Sequence, residues 1–165
     1  MSGSKAPQVP VGPGEAVVLA VEPVLRQQLA VAGWHVRSVP APSGDLAGLA
    51  ANATVGSADL VALDSVLTPL NHADKRAAIA TVARWVRSDG QMLLREPVAS
   101  GANGSGWRMW LRRLSDRWLR LSAEASHGPA TVEFYLTALG HVGFDAGEPV
   151  HRDGAVVIIH AQRRG

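Results

Sequence analysis

Forty residues, Asp59 to Val98, leave this chain little choice of architecture. They read DLVALDSVLTPL, then NHADKRAAIATVARWVRSDG, then QMLLREPV. The first block is rich in Val, Ala and Leu and has no polar face at helical spacing, so it predicts a strand buried on both sides. Thr68-Pro69 predicts a turn. Asn71 then suits a helix N-cap, with Asp74 in the first turn, and Ala78/Ile79, Val82 and Trp85/Val86 recur at helical spacing. Arg84 and Arg87 suit the last turn and Gly90 the C-terminal stop. Met92-Leu93-Leu94 opens a second buried strand. A strand–helix–strand unit of this length makes its two strands parallel.

The rest of the chain extends the pattern. Residues 1–14, MSGSKAPQVPVGPG, are rich in Pro, Gly and Ser and predict a mobile leader. Ala16 to Val21 predicts a short buried strand, Leu25 to Ala32 a helix stopped by Gly33, and Trp34 to Val39 an alternating strand. Asp45 to Ala53 predicts a short Ala/Leu-rich helix. Alternating elements of this kind give a doubly wound α/β domain, here spanning residues 15–165. Composition agrees: 165 residues, 47% hydrophobic and 18% charged, describe one globular domain. There is no cysteine, which excludes disulfides and thiolate metal sites. No signal-like segment opens the chain and no apolar run reaches membrane-spanning length, so a cytoplasmic location is expected. A net charge of +2 gives no reason to expect nucleic acid.

The 59–98 unit resembles the second half of a class I S-adenosylmethionine-dependent methyltransferase. Asp59-Leu60-Val61 matches the aspartate that opens that family's strand four. Val86-Arg87-Ser88-Asp89-Gly90 stands where the family has its L-x-P-G-G turn, and strand five ends in Glu96-Pro97. TVEFYLTALGHVGFD (131–145) looks like the late helix ending in "aGF", and GAVVIIHAQR (154–163) like the closing strand. The resemblance covers about two thirds of the chain. It implies a doubly wound, mostly parallel, Rossmann-like sheet with an antiparallel C-terminal strand, here trimmed by a strand or helix in the N-terminal half.

The cofactor motif does not follow. The family ends strand one in a glycine-rich turn and strand two in an acid that holds the ribose hydroxyls. With Ala16–Val21 as strand one, the turn falls at Val21-Glu22-Pro23-Val24, which has no glycine. The ribose acid then falls near Pro40. A rival register makes Val17–Val21 strand two, Glu22 the ribose acid and Trp34–Val39 strand three, and lacks strand one. Glu22 therefore reads either as a surviving cofactor acid or, more plainly, as a carboxylate at the positive end of the next helix. Both registers predict that the site is missing or rebuilt.

WRMWLRRLSDRWLRL, residues 107–121, carries a second signal. Trp107, Trp110, Leu111, Leu114, Trp118 and Leu121 make an apolar stripe, with five arginines crowded on the other side. The resemblance implies a lid or dimer element inserted after strand five. The stripe suits packing on its own domain, contact with a partner subunit, or an anionic membrane surface. Arginines and aromatics segregate instead of interleaving, which argues against nucleic acid.

The six histidines form no metal-ligand spacing, so no metal is expected. His72 and Glu96, with Asp64, are the candidate acid–base set at the carboxyl ends of the strands. Asp64, with Glu22, is the candidate cofactor contact. The plainer reading makes His72 an exposed helix-start residue and Asp64 a loop acid. The sequence thus predicts a methyltransferase-like pseudoenzyme, a non-catalytic companion or scaffold subunit in a homo- or hetero-oligomer. Its partner would be an active methyltransferase or another metabolic enzyme, and no cofactor is expected. The alternative is an active S-adenosylmethionine-dependent enzyme acting on a small metabolite.

Overall fold

A computed structural model describes residues 9–20, 23–40, 49, 54–99, 128–152 and 156–165. Its first strand is β1 (Gly14–Ala20), whose Ala16, Val17, Val18 and Leu19 are all buried, as a strand covered on both faces requires. After β1 comes helix α1 (Val24–Val31), and the chain returns as β2 (Trp34–Val39), parallel to β1 with Ala16 opposite Val36. On the other side of β1 lies β3 (Ala58–Asp64), pairing Ala16 with Leu60 and Ala20 with Asp64. Helix α2 (His72–Ala83) leads to β4 (Val86–Pro97), again parallel. Helix α3 (Val132–His141) precedes the short strands β5 (Phe144–Ala146) and β6 (Val150–Arg152) and the closing β7 (Val156–Arg163).

Among the described residues the sheet has seven strands in the order β2-β1-β3-β4-β7-β5, with β6 also on β7, and β7 runs antiparallel to β4, β5 and β6. This is the doubly wound, mostly parallel sheet with an antiparallel C-terminal strand that the sequence predicts. Strand alternation divides the core into two layers. Leu25 and Leu29 of α1 pack with Ala16, Val18, Leu60, Ala62 and Leu93 on one face. On the other, Ile79 and Val82 of α2 and Tyr135 and Leu139 of α3 pack with Val17, Leu19, Val61, Leu63, Met92 and Leu94. Leu49, the one described residue of the expected 45–53 helix, is helical and joins this second layer.

Direct pairing of β1 with β3 decides between the two registers. Were β1 the family's strand two, a strand would have to lie between it and β3, and none can. β1 therefore takes the place of strand one and β2 that of strand two, as in the first of the two registers. Glu22 itself follows β1 in sequence and lies outside the described residues. Among the described residues β2 is an edge strand, so the sheet is short on this side, where the sequence predicts trimming.

The boundary between α2 and β4 differs from expectation. The helix ends at Ala83, and Trp85 and Val86 already belong to the return, the Trp85 carbonyl accepting from Ala58 N at 2.9 Å. Gly90 is therefore not a helix stop. It sits inside β4, where the register slips from Ala58 opposite Val86 to Leu60 opposite Gln91. A Cβ on Gly90 would lie 2.9 Å from the Asp59 carbonyl oxygen and 3.1 Å from that of Ala58. Close approach of two backbones, not helix termination, explains the glycine. Asp59 ties the same end of the sheet together. Its carboxylate accepts from Glu15 N at 2.8 Å and from the Arg87 guanidinium, and these donors, the arginine foremost, hold its pKa below the ordinary carboxylate range.

Two contacts tie the described part of the leader to the domain, although Val11 is 86% exposed. The Trp34 indole donates to the Pro10 carbonyl at 2.6 Å, and Val9 packs on the α1 layer.

Candidate functional site at the strand ends

Open α/β sheets place their sites at the carboxyl ends of the strands, beside the point where strand order reverses. Here that point lies between β1 and β3, and its rim is the loop from Ser65 to Asn71. Ser65 takes a left-handed conformation with φ of 60°, uncommon for a residue with a side chain. It is held there by its N–H donating to the Arg95 carbonyl at 2.9 Å and its hydroxyl to Asp64 Oδ1 at 3.1 Å.

Glu96, near the end of β4, organises the rest of the loop. Its Oε1 accepts from Val66 N at 2.9 Å and Leu67 N at 3.0 Å, and its Oε2 from the Thr68 hydroxyl at 3.1 Å. Lys75 of α2 reaches the same loop from the helix side, Nζ donating to the carbonyls of Thr68 (3.3 Å) and Leu70. Glu96 and Lys75 are both fully buried. Burial pushes the Glu96 carboxyl up to about 7, against the pull of its three donors, with the nearby Asp64 charge adding to the rise. Burial also pushes the Lys75 ammonium down to about 8, partly offset by the charges of Glu96 and Asp74. Tyr135 of α3 is packed nearby and fully buried, and loss of solvent raises its phenol, the Glu96 charge adding to the rise. Side chains from β4 and α2 thus satisfy amides and carbonyls that a buried loop would otherwise leave unpaired.

The predicted site residues share this edge of the sheet without converging. Asp64, 4% exposed, ends β3 and pairs with Arg95 Nη1 at 3.3 Å. Glu96 lies beneath the loop, with both oxygens engaged and no exposed surface. His72 is exposed at the first position of α2, where its ring stacks on Phe134 at 4.8 Å. Glu22 and the stripe Trp107, Trp110, Leu111, Leu114, Trp118 and Leu121 lie outside the described residues. Sequence reasoning missed Lys75 and Thr68. A lysine in a polar stretch of helix gives no sign that it will be buried, and Thr68 read simply as part of a turn.

The cofactor cradle expected of the family has no counterpart among the described residues. β1 ends at Ala20 and α1 is capped by Pro23, with no side-chain cap bond and no acid in its first turn. No glycine lies between Val21 and Val24, so no position there accepts positive φ without strain or lets a ligand approach the bare backbone. β2 ends at Val39 and is followed by Pro40, so among the described residues no carboxylate ends this strand. Among the described residues, those at these two strand ends do not fit S-adenosylmethionine in the family's manner.

No protein-family model and no curated protein matches the sequence. Solved structures do match the fold. Over 94% of its length the chain superposes on 94% of an S-adenosylmethionine-dependent methyltransferase from Mesorhizobium loti, with TM-score 0.64 and 16% identity. It has the methyltransferase fold. The same architecture is found in a Burkholderia thailandensis 1,6-didemethyltoxoflavin-N1-methyltransferase, at TM-score 0.64 and 13% identity, covering 93% of this chain and 72% of that one. The mitomycin 7-O-methyltransferase MmcR also matches, at TM-score 0.64 and 13% identity over 90% of this chain. The chain spans only 48% of MmcR, about half its length. Among the described residues no helix of this methyltransferase-like domain is long and apolar enough to cross a membrane.

Proposed function

We propose that this methyltransferase-like domain is a non-catalytic companion subunit that works by association. The observation that carries the reading is the short, glycine-free passage from β1 through Pro23 into α1, at the place where the fold's cofactor would be cradled. The strand-end carboxylates support it. Asp64 is neutralised by Arg95, and Glu96 is used up in holding a loop.

Surface features favour docking. β2 leaves a free strand edge among the described residues, and such edges are commonly covered by a partner. Val24 and Val31, seven residues apart on one side of α1, are 42% and 90% exposed. Sedimentation equilibrium of the purified 17.3 kDa chain tests self-association. The expected result is a mass of at least a dimer, reduced to the monomer by Val31→Asp. A monomer throughout the micromolar range contradicts self-association and restricts the companion role to a heteromer.

A further inference from the structure

Away from the β1–α1 turn, helices α2 and α3 border an open cleft of about 500 Å³ on the opposite layer of the domain. This volume falls within the roughly 300–1,000 Å³ of small-molecule sites. Ala99, Pro129 and Ala130 give it an apolar floor, and Phe134 forms one wall with the His72 ring stacked on it at 4.8 Å. The Arg76 guanidinium lies 5.1 Å from the centre of the same phenylalanine ring, and among the described residues it makes no ion pair. His72 and Arg76 are four residues apart on α2 and so share a face. Glu133 also lines the cleft, but it stands in the first turn of α3, where an acid complements its own helix end. Both helices begin at the cleft, with Asn71 and Thr131 as their caps, so their positive ends add to Arg76.

We propose that this cleft binds a small planar aromatic carboxylate. The ring would lie along His72 and the apolar floor, and the carboxylate would meet the Arg76 guanidinium, whose forked donors match it in geometry. The inference does not depend on the companion reading, since it concerns a ligand and not a cofactor or a subunit.

Titration of the ¹⁵N-labelled chain with benzoate, followed by two-dimensional NMR, tests it, with neutral benzamide as control. The expected result is saturable benzoate shifts confined to residues around His72, Arg76 and Thr131–Thr137, with benzamide roughly tenfold weaker, as loss of one charge-assisted bond implies. Arg76→Glu, at an exposed position, weakens benzoate by at least the same factor. Thr137→Trp fills the cleft and abolishes binding. Shifts that never saturate, or binding equally strong in Arg76→Glu, would overturn the proposal.

Discussion

The sharpest prediction concerns Glu96. Replacing it with alanine removes the acceptor for two buried backbone amides, Val66 N and Leu67 N, and for the Thr68 hydroxyl. A buried donor left without a partner costs about 1–3 kcal/mol, so the two amides alone make Glu96→Ala destabilising by about 2–6 kcal/mol. Glu96→Gln keeps a carbonyl oxygen in the same place and should lose far less. It should also change the pH dependence. The folded pKa of about 7 lies above the ordinary 4.5, so the folded protein binds the proton more tightly than the unfolded chain does. Stability from this group is therefore fully present below pH 4.5 and is lost as pH rises towards 7. At 1.36 kcal/mol per unit, the loss over that window is about 3 kcal/mol. Urea unfolding of wild type and both variants, at several pH values across the window, measures both effects. The difference in stability between wild type and Glu96→Gln should shift with pH by about that amount. A difference that stays flat, together with an alanine variant that loses less than about 1 kcal/mol, would refute the view that Glu96 anchors the loop.

Other predictions follow from single contacts. Gly90→Ala should destabilise by about 1–3 kcal/mol, read from its urea midpoint, because the added Cβ meets the backbone carbonyls of Asp59 and Ala58 at 2.9 and 3.1 Å. Trp34→Phe keeps a buried ring but loses the bond to the Pro10 carbonyl; it should cost about 1 kcal/mol and speed amide exchange in the strand beside it. Asp59→Asn should weaken the domain by about 1 kcal/mol near neutral pH and less in acid. The depressed pKa of Asp59 means its contribution is present above the ordinary value and disappears as pH falls through the folded one, which acid titration of both proteins would show.

Much of the fold is legible in local pattern. The blocks around Val61 and Leu93 are continuous apolar runs because both faces of those strands are covered, and Asn71 and Thr131 cap their helices through side-chain oxygens. Gly90 misleads because two different physical demands select the same residue, and it lies near enough to a helix end to suggest the wrong one. The site is harder to read. Glu96 was conspicuous as an acid at a strand end, but its partners are backbone amides 29 and 30 residues away, and backbone donors leave no mark in a sequence. Lys75 is similar: its carbonyl partners are set by the path of the loop, not by side chains. The absence of glycine after β1 is a purely local signal, and it is the one functional clue the sequence states outright.

Calorimetric titration of the purified chain with S-adenosylmethionine and S-adenosylhomocysteine tests the central claim most directly. The account predicts no saturable heat up to millimolar ligand. Stoichiometric binding in the micromolar range would contradict it, and would show that the turn from β1 into α1 forms a cofactor site without glycine.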